Sequence, residues 1–222
     1  MSGFSTARQR MVDGQVRPSD VTDLRIIDAM LAVPREEFVP AGQRALAYLD
    51  LDLDISEGGS TKRYLIKPAV LARMLQAAKI GEADNVLVAS SAPGYAAAVV
   101  ARLARQVTVT ETDPVQTDKA RAVLTQLGLG NVIFGAAAAA EGVPGNGPYD
   151  VIVLDGATEI TPEPLSQQLK DGGRLVGVFS TTKPPRAMIV KRSHGVDFGY
   201  RALFDAAVPV LPGLEQLPAF VF

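Results

Sequence analysis

The spacing of apolar residues along the chain changes twice. From Asp20 to Val33 they recur at helical intervals, with Leu24, Ile27 and Leu31 on one face, so the segment predicts a helix that Asp20 or Thr22 can cap. Residues 35–40 read as a short punctuated link, and residues 47–55 as a mixed loop rich in Asp and Leu. Pro68 opens a second helix at its first turn, where a missing N–H costs nothing. Val70, Leu71, Met74, Leu75 and Ala78 form its expected buried stripe.

From Asn85 onward short apolar runs alternate with helical patterns. Strands are expected over Asn85–Ala89, Gln106–Glu111, Val132–Phe134, Tyr149–Leu154 and Arg174–Phe179. A helix lined with small residues spans Gly94–Ala104. Another is capped by Asp113 and started by Pro114, with Val115, Val123, Leu124 and Leu127 facing inward. A third starts at Thr161-Pro162 and ends near Gly172-Gly173. The strand at Tyr149 is almost wholly apolar, as a strand covered on both faces must be. This rhythm predicts a parallel, doubly wound sheet. It then breaks. Met188–Val190, Tyr200–Phe204 and Ala219–Phe222 are strand-like, with turns but no long helix between them, which predicts an antiparallel addition at the sheet edge. Ala136–Ala140 reads as a plain loop or helical turn.

Composition narrows the chemistry. With 222 residues, 47% hydrophobic and 21% charged, the chain suits one α/β domain with a substantial core. Its 22 basic and 24 acidic residues do not make the basic footprint of a nucleic-acid binder. No run of apolar residues is long enough to cross a bilayer, and Met1–Pro18 is polar, so a cytoplasmic protein is expected. The absence of cysteine excludes disulfides, thiol nucleophiles and Cys/His zinc sites. The single histidine, His194, lies in a polar Lys-Arg-Ser-His-Gly stretch and reads as a surface turn residue, not a triad member.

Several stretches carry a resemblance. They are Gln15-Val16-Arg17, Val33-Pro34-Arg35-Glu36-Glu37-Phe38-Val39-Pro40, Ala47-Tyr48, Pro68 to Met74, Gly94-Tyr95-Ala96-Ala97 and Tyr149 to Val153. Together they resemble the protein-L-isoaspartate O-methyltransferase family over nearly the whole chain. The N-terminal stretches are the specific part, because other methyltransferases share only the Rossmann-like core. The resemblance implies a mostly parallel, doubly wound sheet of about seven strands with an antiparallel C-terminal hairpin and an N-terminal helical region. It implies one methyltransferase-like domain over residues 1–222, with a helical preamble and substrate loop at 1–80 and a Rossmann-like core at 81–222. The implied reaction is methyl transfer from S-adenosylmethionine to isoaspartyl carboxylates of damaged peptides and proteins. The sequence does not give the oligomeric state, and a monomer is the favoured expectation. A carboxylate with a pKa of about 4 is already ionised at neutral pH, so alignment and exclusion of water suffice and no general base is required.

The resemblance also places the site residues. The cofactor loop carries Val88 where the family has an acid, Ser90 and Ala92 where it has glycines, and a retained Gly94 followed by Tyr95. Glu111 ends the second strand, where a carboxylate can accept both ribose hydroxyls; the alternative is a solvated strand-end acid. Ala136 stands where the family has an acid near the adenine amino group. Asp155 ends the fourth strand and either lines the pocket or caps the adjoining helix or loop. In the substrate loop, Ile66 and Lys67 precede Pro68 in place of a hydroxyl residue and Gln. Lys67 attracts a carboxylate by charge or is a solvated loop cation.

Each hydrogen bond lost to a charged group costs roughly 1.5–3 kcal/mol. The missing acids and the loop strain together amount to about 3–5 kcal/mol, on the order of a hundred- to several-thousandfold in cofactor affinity. A non-catalytic, protein-binding or regulatory module on the same fold is therefore the competing expectation. A dinucleotide oxidoreductase is disfavoured, because Ser90-Ser91-Ala92-Pro93-Gly94 is not a glycine-rich fingerprint.

Overall fold

The computed structural model describes residues 3–57, 62–90, 94–193 and 197–217. The chain opens with a helix, α1 (Gly3–Met11), that runs on through a wider turn at Val12–Val16 and a tight one at Arg17–Ser19. Asp20, at φ 62°, closes that turn in a left-handed conformation, so it cannot cap a helix. The next helix, α2 (Leu24–Ala32), is capped instead by Asp23, whose carboxylate accepts from the Arg25 backbone N–H. The Thr22 and Asp23 amides both donate to Gln76 Oε1, at 2.7 and 3.0 Å, which fixes the entry angle. The inward face of α2 is Ile26, Ile27, Ala29 and Met30; Leu24, expected on that face, is 64% exposed.

Short helical turns at Arg35–Phe38 and Ala41–Leu46 lead to a small hairpin, β1 (Leu53–Asp54) with β2 (Tyr64–Leu65). Helix α3 (Pro68–Ala78) starts at its proline, as expected, and buries Leu71, Met74, Leu75 and Ala78.

The core follows the predicted alternation. Strand β3 is Asn85–Ala89, α4 is Tyr95–Ala101, β4 is Gln106–Thr110, α5 is Pro114–Gln126 and β5 is Val132–Gly135. All residues of α4 are buried, because its alanines let the backbone lie close against the sheet. Asp113 caps α5 through the Val115 amide, 2.8 Å away, but Val115 itself is 59% exposed rather than inward. Strand β6 spans Tyr149–Thr158 and outlasts its apolar run by four residues. The helix expected after Thr161 is a single turn, α6 (Glu163–Ser166). The Tyr149 amide takes the Gln168 carbonyl at 2.8 Å, and the chain is drawn into β7 (Leu169–Phe179) before a second turn can form.

Strands β8 (Arg186–Arg192) and β9 (Phe198–Asp205) add antiparallel to β7. The sheet order is β5-β4-β3-β6-β7-β8-β9, a Rossmann-like seven-stranded sheet, parallel from β5 to β7. The expected strand at Ala219–Phe222 lies outside the described residues, as does His194.

Apolar side chains alternate between the two faces. Val86, Val88, Val107, Val109, Val151, Val153, Val176 and Val178 point to the face covered by α2, α3 and α4. Leu87, Ala89, Ile152, Leu154 and Leu175 join Leu165, Leu211 and Leu214 on the other. The chain leaves β3 in one direction through β4 and β5, then returns to β6 on the opposite side. The point where strand order reverses therefore lies between β3 and β6, where α/β sheets open a ligand crevice at the carboxyl ends of their strands.

Candidate active site at the carboxyl edge

Three polar residues mark the strand ends at that reversal: Ser90 after β3, Glu111 after β4 and Asp155 within β6. All three are buried. Ser90 is held by Thr110, whose hydroxyl accepts from the Ser90 amide at 3.0 Å and donates to its carbonyl at 3.1 Å. The Ser90 hydroxyl donates to Asp155 Oδ2 at 3.0 Å. Burial pushes the Asp155 carboxyl up to about 6, against the opposing pull of the Ser90 hydroxyl and the Arg35 charge.

Arg35 lies beneath this cluster and is 1% exposed. Its Nε donates to the Ala47 carbonyl at 2.7 Å and its Nη2 to the Ile66 carbonyl at 2.6 Å. Its guanidinium stacks 4.6 Å from the centre of the Tyr95 ring, which packs edge-on against Phe38. Burial lowers the Arg35 pKa and raises that of Tyr95. The Val-Pro-Arg-Glu-Glu-Phe stretch is thus a buried strut between the substrate loop and α4, not a link.

Glu111 has a partner that no local pattern announces. Arg63, from the start of the β2 segment, reaches across and binds it with both nitrogens of its fork: Nη1 to Oε2, and Nη2 to Oε1 at 2.8 Å. The two side chains are only 7% and 5% exposed. The Asp113 amide is a third donor to the carboxylate, reaching Oε1 at 2.8 Å. Glu111 is therefore not a solvated strand-end acid.

The remaining expected positions divide. Gly94 starts α4 at φ 89°, a backbone conformation that suits glycine, and a Cβ there would stand 3.3 Å from the Ala120 Cβ. Tyr95 is buried, and Val88 is wholly enclosed in the core, offering no polar atom to a ligand. Ala92 lies outside the described residues, and Ala136 is exposed on a turn. Ile66 is packed in the core and presents only its carbonyl, which Arg35 has taken. Lys67 keeps about a third of its side chain in solvent, 34% exposed, but is tethered: its amide donates to Asp52 Oδ1 at 2.9 Å, and its Nζ lies 3.4 Å from Asp52 Oδ2 and 3.3 Å from the Ala207 carbonyl. Pro68 is buried in the first turn of α3.

Glu111 and Thr112 form a wall shared by two openings. One, of about 460 Å³, is lined by Pro114, Thr117, Arg121, Phe134 and Ala136. The other, of about 130 Å³, is lined by Arg63, Ser90, Ala138 and Pro212. The first is large enough for a small organic ligand, and the second, narrowed by Arg63, is not. A further hollow of about 410 Å³, between Phe38, Val39, Ile55 and Val123, touches none of the strand-end residues. Among the described residues no cluster of His, Asp and Glu could hold a metal ion, and no helix is long and apolar enough to cross a membrane.

Comparison with known proteins agrees with this architecture. A protein-L-isoaspartate O-methyltransferase of Koribacter versatilis is 35% identical over 88% of this chain and 86% of its own length. One of Rhodopseudomonas palustris is 35% identical over 92% of this chain and 93% of its own. A solved protein-L-isoaspartate O-methyltransferase, 25% identical, superposes with a TM-score of 0.80 over 94% of this chain and 67% of that one. The family model described as "Protein-L-isoaspartate(D-aspartate) O-methyltransferase (PCMT)" matches residues 7–198. By its sequence and its fold alike, the chain belongs to the protein-L-isoaspartate O-methyltransferase family.

Proposed function

We propose that this chain binds S-adenosylmethionine at the Glu111 crevice and methylates isoaspartyl carboxylates of damaged proteins, acting as a cytoplasmic monomer. Members of its family use that donor and act on isoaspartyl protein substrates. The observation that carries the reading is Glu111 itself. It is a buried carboxylate at the end of β4, beside the point of strand reversal, with two oxygens already engaged by a two-donor partner. A ribose diol is another two-donor partner, and the adjoining opening has room for a nucleoside.

The residues fit the nucleoside half of the donor unevenly. In this reading Glu111 holds the ribose, and Gly94 lets α4 begin close to the ligand. The Val88 and Ala136 side chains contribute nothing polar, and the Ser90–Asp155 pair is a buried polar group on the neighbouring strands. When bound, S-adenosylmethionine supplies a methyl group on a sulfonium. The substrate carboxylate needs no base, because it is ionised at neutral pH. What the protein contributes is alignment and exclusion of water, for which the Arg35 strut holds the Ile66 loop rigidly beneath the strand ends.

The test is transfer of radiolabelled methyl to an isoaspartyl peptide, with the normal aspartyl peptide as control. Base-labile label on the isoaspartyl peptide alone is expected, and no label above blank refutes the reading.

A second reading is a non-catalytic binding module. It is favoured by Ile66, which presents no hydroxyl to a substrate and is sealed in the core. Binding of S-adenosylhomocysteine without methyl transfer to any isoaspartyl peptide would select it.

A further inference from the structure

The Arg63–Glu111 ion pair joins the substrate loop to the cofactor crevice, and its geometry bears on how the crevice opens. We infer that Arg63 is an internal occupant of the ribose seat: its guanidinium takes the two oxygens of Glu111 that a nucleoside diol needs, so the ligand binds only by displacing it. The inference rests on the reading of Glu111 as the ribose acceptor.

The seat and the occupant match. Two nitrogens of one planar fork meet two oxygens of one carboxylate, a pairing with fixed orientation and with both partners out of water. Arg63 and Glu111 are 48 residues apart, so no helical or turn geometry forces them together. The backbone of Arg63 is anchored. Its amide donates to Ser56 Oγ at 2.9 Å, and its carbonyl accepts from the Ile55 amide at 2.9 Å. Displacement therefore proceeds by rotation of the side chain about a fixed base. The same side chain narrows the compartment of about 130 Å³ that connects Ser90 to Glu111, so its departure would widen the crevice as well as free the seat.

The energetics favour exchange over simple opening. Removing the guanidinium alone leaves a buried carboxylate without its charged partner, an expensive state. A diol arriving as the fork departs keeps both oxygens hydrogen-bonded, and the Asp113 amide stays on Oε1 throughout. Apparent affinity is reduced by the fraction of molecules in which the seat is free, and a variant without the fork escapes that reduction.

The experiment is calorimetric titration of S-adenosylhomocysteine into the wild type, Arg63→Met and Arg63→Lys, each checked for folding by circular dichroism. Adenosine and 2′,3′-dideoxyadenosine are then titrated into the same proteins. Arg63→Met keeps the stem and removes the donors. It is expected to bind S-adenosylhomocysteine at least tenfold more tightly than the wild type, with Arg63→Lys intermediate because a single ammonium replaces the fork. The gain is expected to be larger with adenosine than with the dideoxynucleoside, which profits only from the wider crevice. Equal affinity in all three proteins overturns the gate and leaves the donor-binding reading intact. Weaker binding by Arg63→Met also overturns it, since Arg63 would then be a ligand contact. No binding by any folded variant overturns both. Should Arg63→Met fail to fold, Arg63→Lys against wild type decides the same question.

Discussion

Asp155 offers a sharp test of the buried polar cluster, through replacement by Asn. The amide has the carboxyl group's shape and can still accept the Ser90 hydroxyl now 3.0 Å away, but it cannot ionise. In the folded protein burial raises the Asp155 carboxyl from 3.8 to about 6. Between those values the native state binds a proton that the unfolded state has released. The contribution of this group is thus fully present below about 3.8 and is lost as pH rises through about 6. The two values lie roughly two units apart, and each unit is worth about 1.4 kcal/mol, so the ceiling is about 3 kcal/mol. Urea unfolding at pH 4, 5, 6 and 7.5 isolates the effect as a difference between the two proteins. The stability of Asp155→Asn relative to wild type is expected to climb by about 2–3 kcal/mol across that range. Parallel pH profiles would refute the argument. So would a variant that loses ground as pH rises, because the Arg35 charge would then outweigh burial.

Two further substitutions probe the framework. Gly94→Ala places a β-carbon at φ 89° and 3.3 Å from Ala120, and is expected to lower stability by at least about 1 kcal/mol, read as a drop in melting temperature. Arg174→Met removes hydrogen bonds to the Lys79 carbonyl at 2.7 Å and to Asp84 Oδ2 at 2.9 Å, contacts that tie the end of α3 to the turn before β3. A loss of about 2–3 kcal/mol in urea unfolding is expected, and a change within error would show that this tie is dispensable.

The amino-acid sequence by itself determined the layered sheet. Its signals are local: apolar runs at Asn85 and Tyr149, Pro68 and Pro114 at the first positions of helices, and Asp113 as a cap. It also carried the family, whose N-terminal stretches match residues that build the buried strut of Arg35 and Phe38. Local pattern failed where a distant partner outweighed it. The helix after Thr161 stopped after one turn because Tyr149 drew Gln168 into the sheet, and Asp20 lost the capping role to Asp23 because its backbone closes the preceding turn.

The candidate site was legible in part. The position of Glu111 at a strand end was readable from the alternation of strands and helices. That its carboxylate is engaged by Arg63, and that Asp155 is buried against Ser90, was decided only by tertiary structure. A long, flexible side chain meeting a charge 48 residues away leaves no periodic trace in the sequence. Such a pair depends on which loop the fold lays over which strand end, and on the loss of water that makes the contact strong.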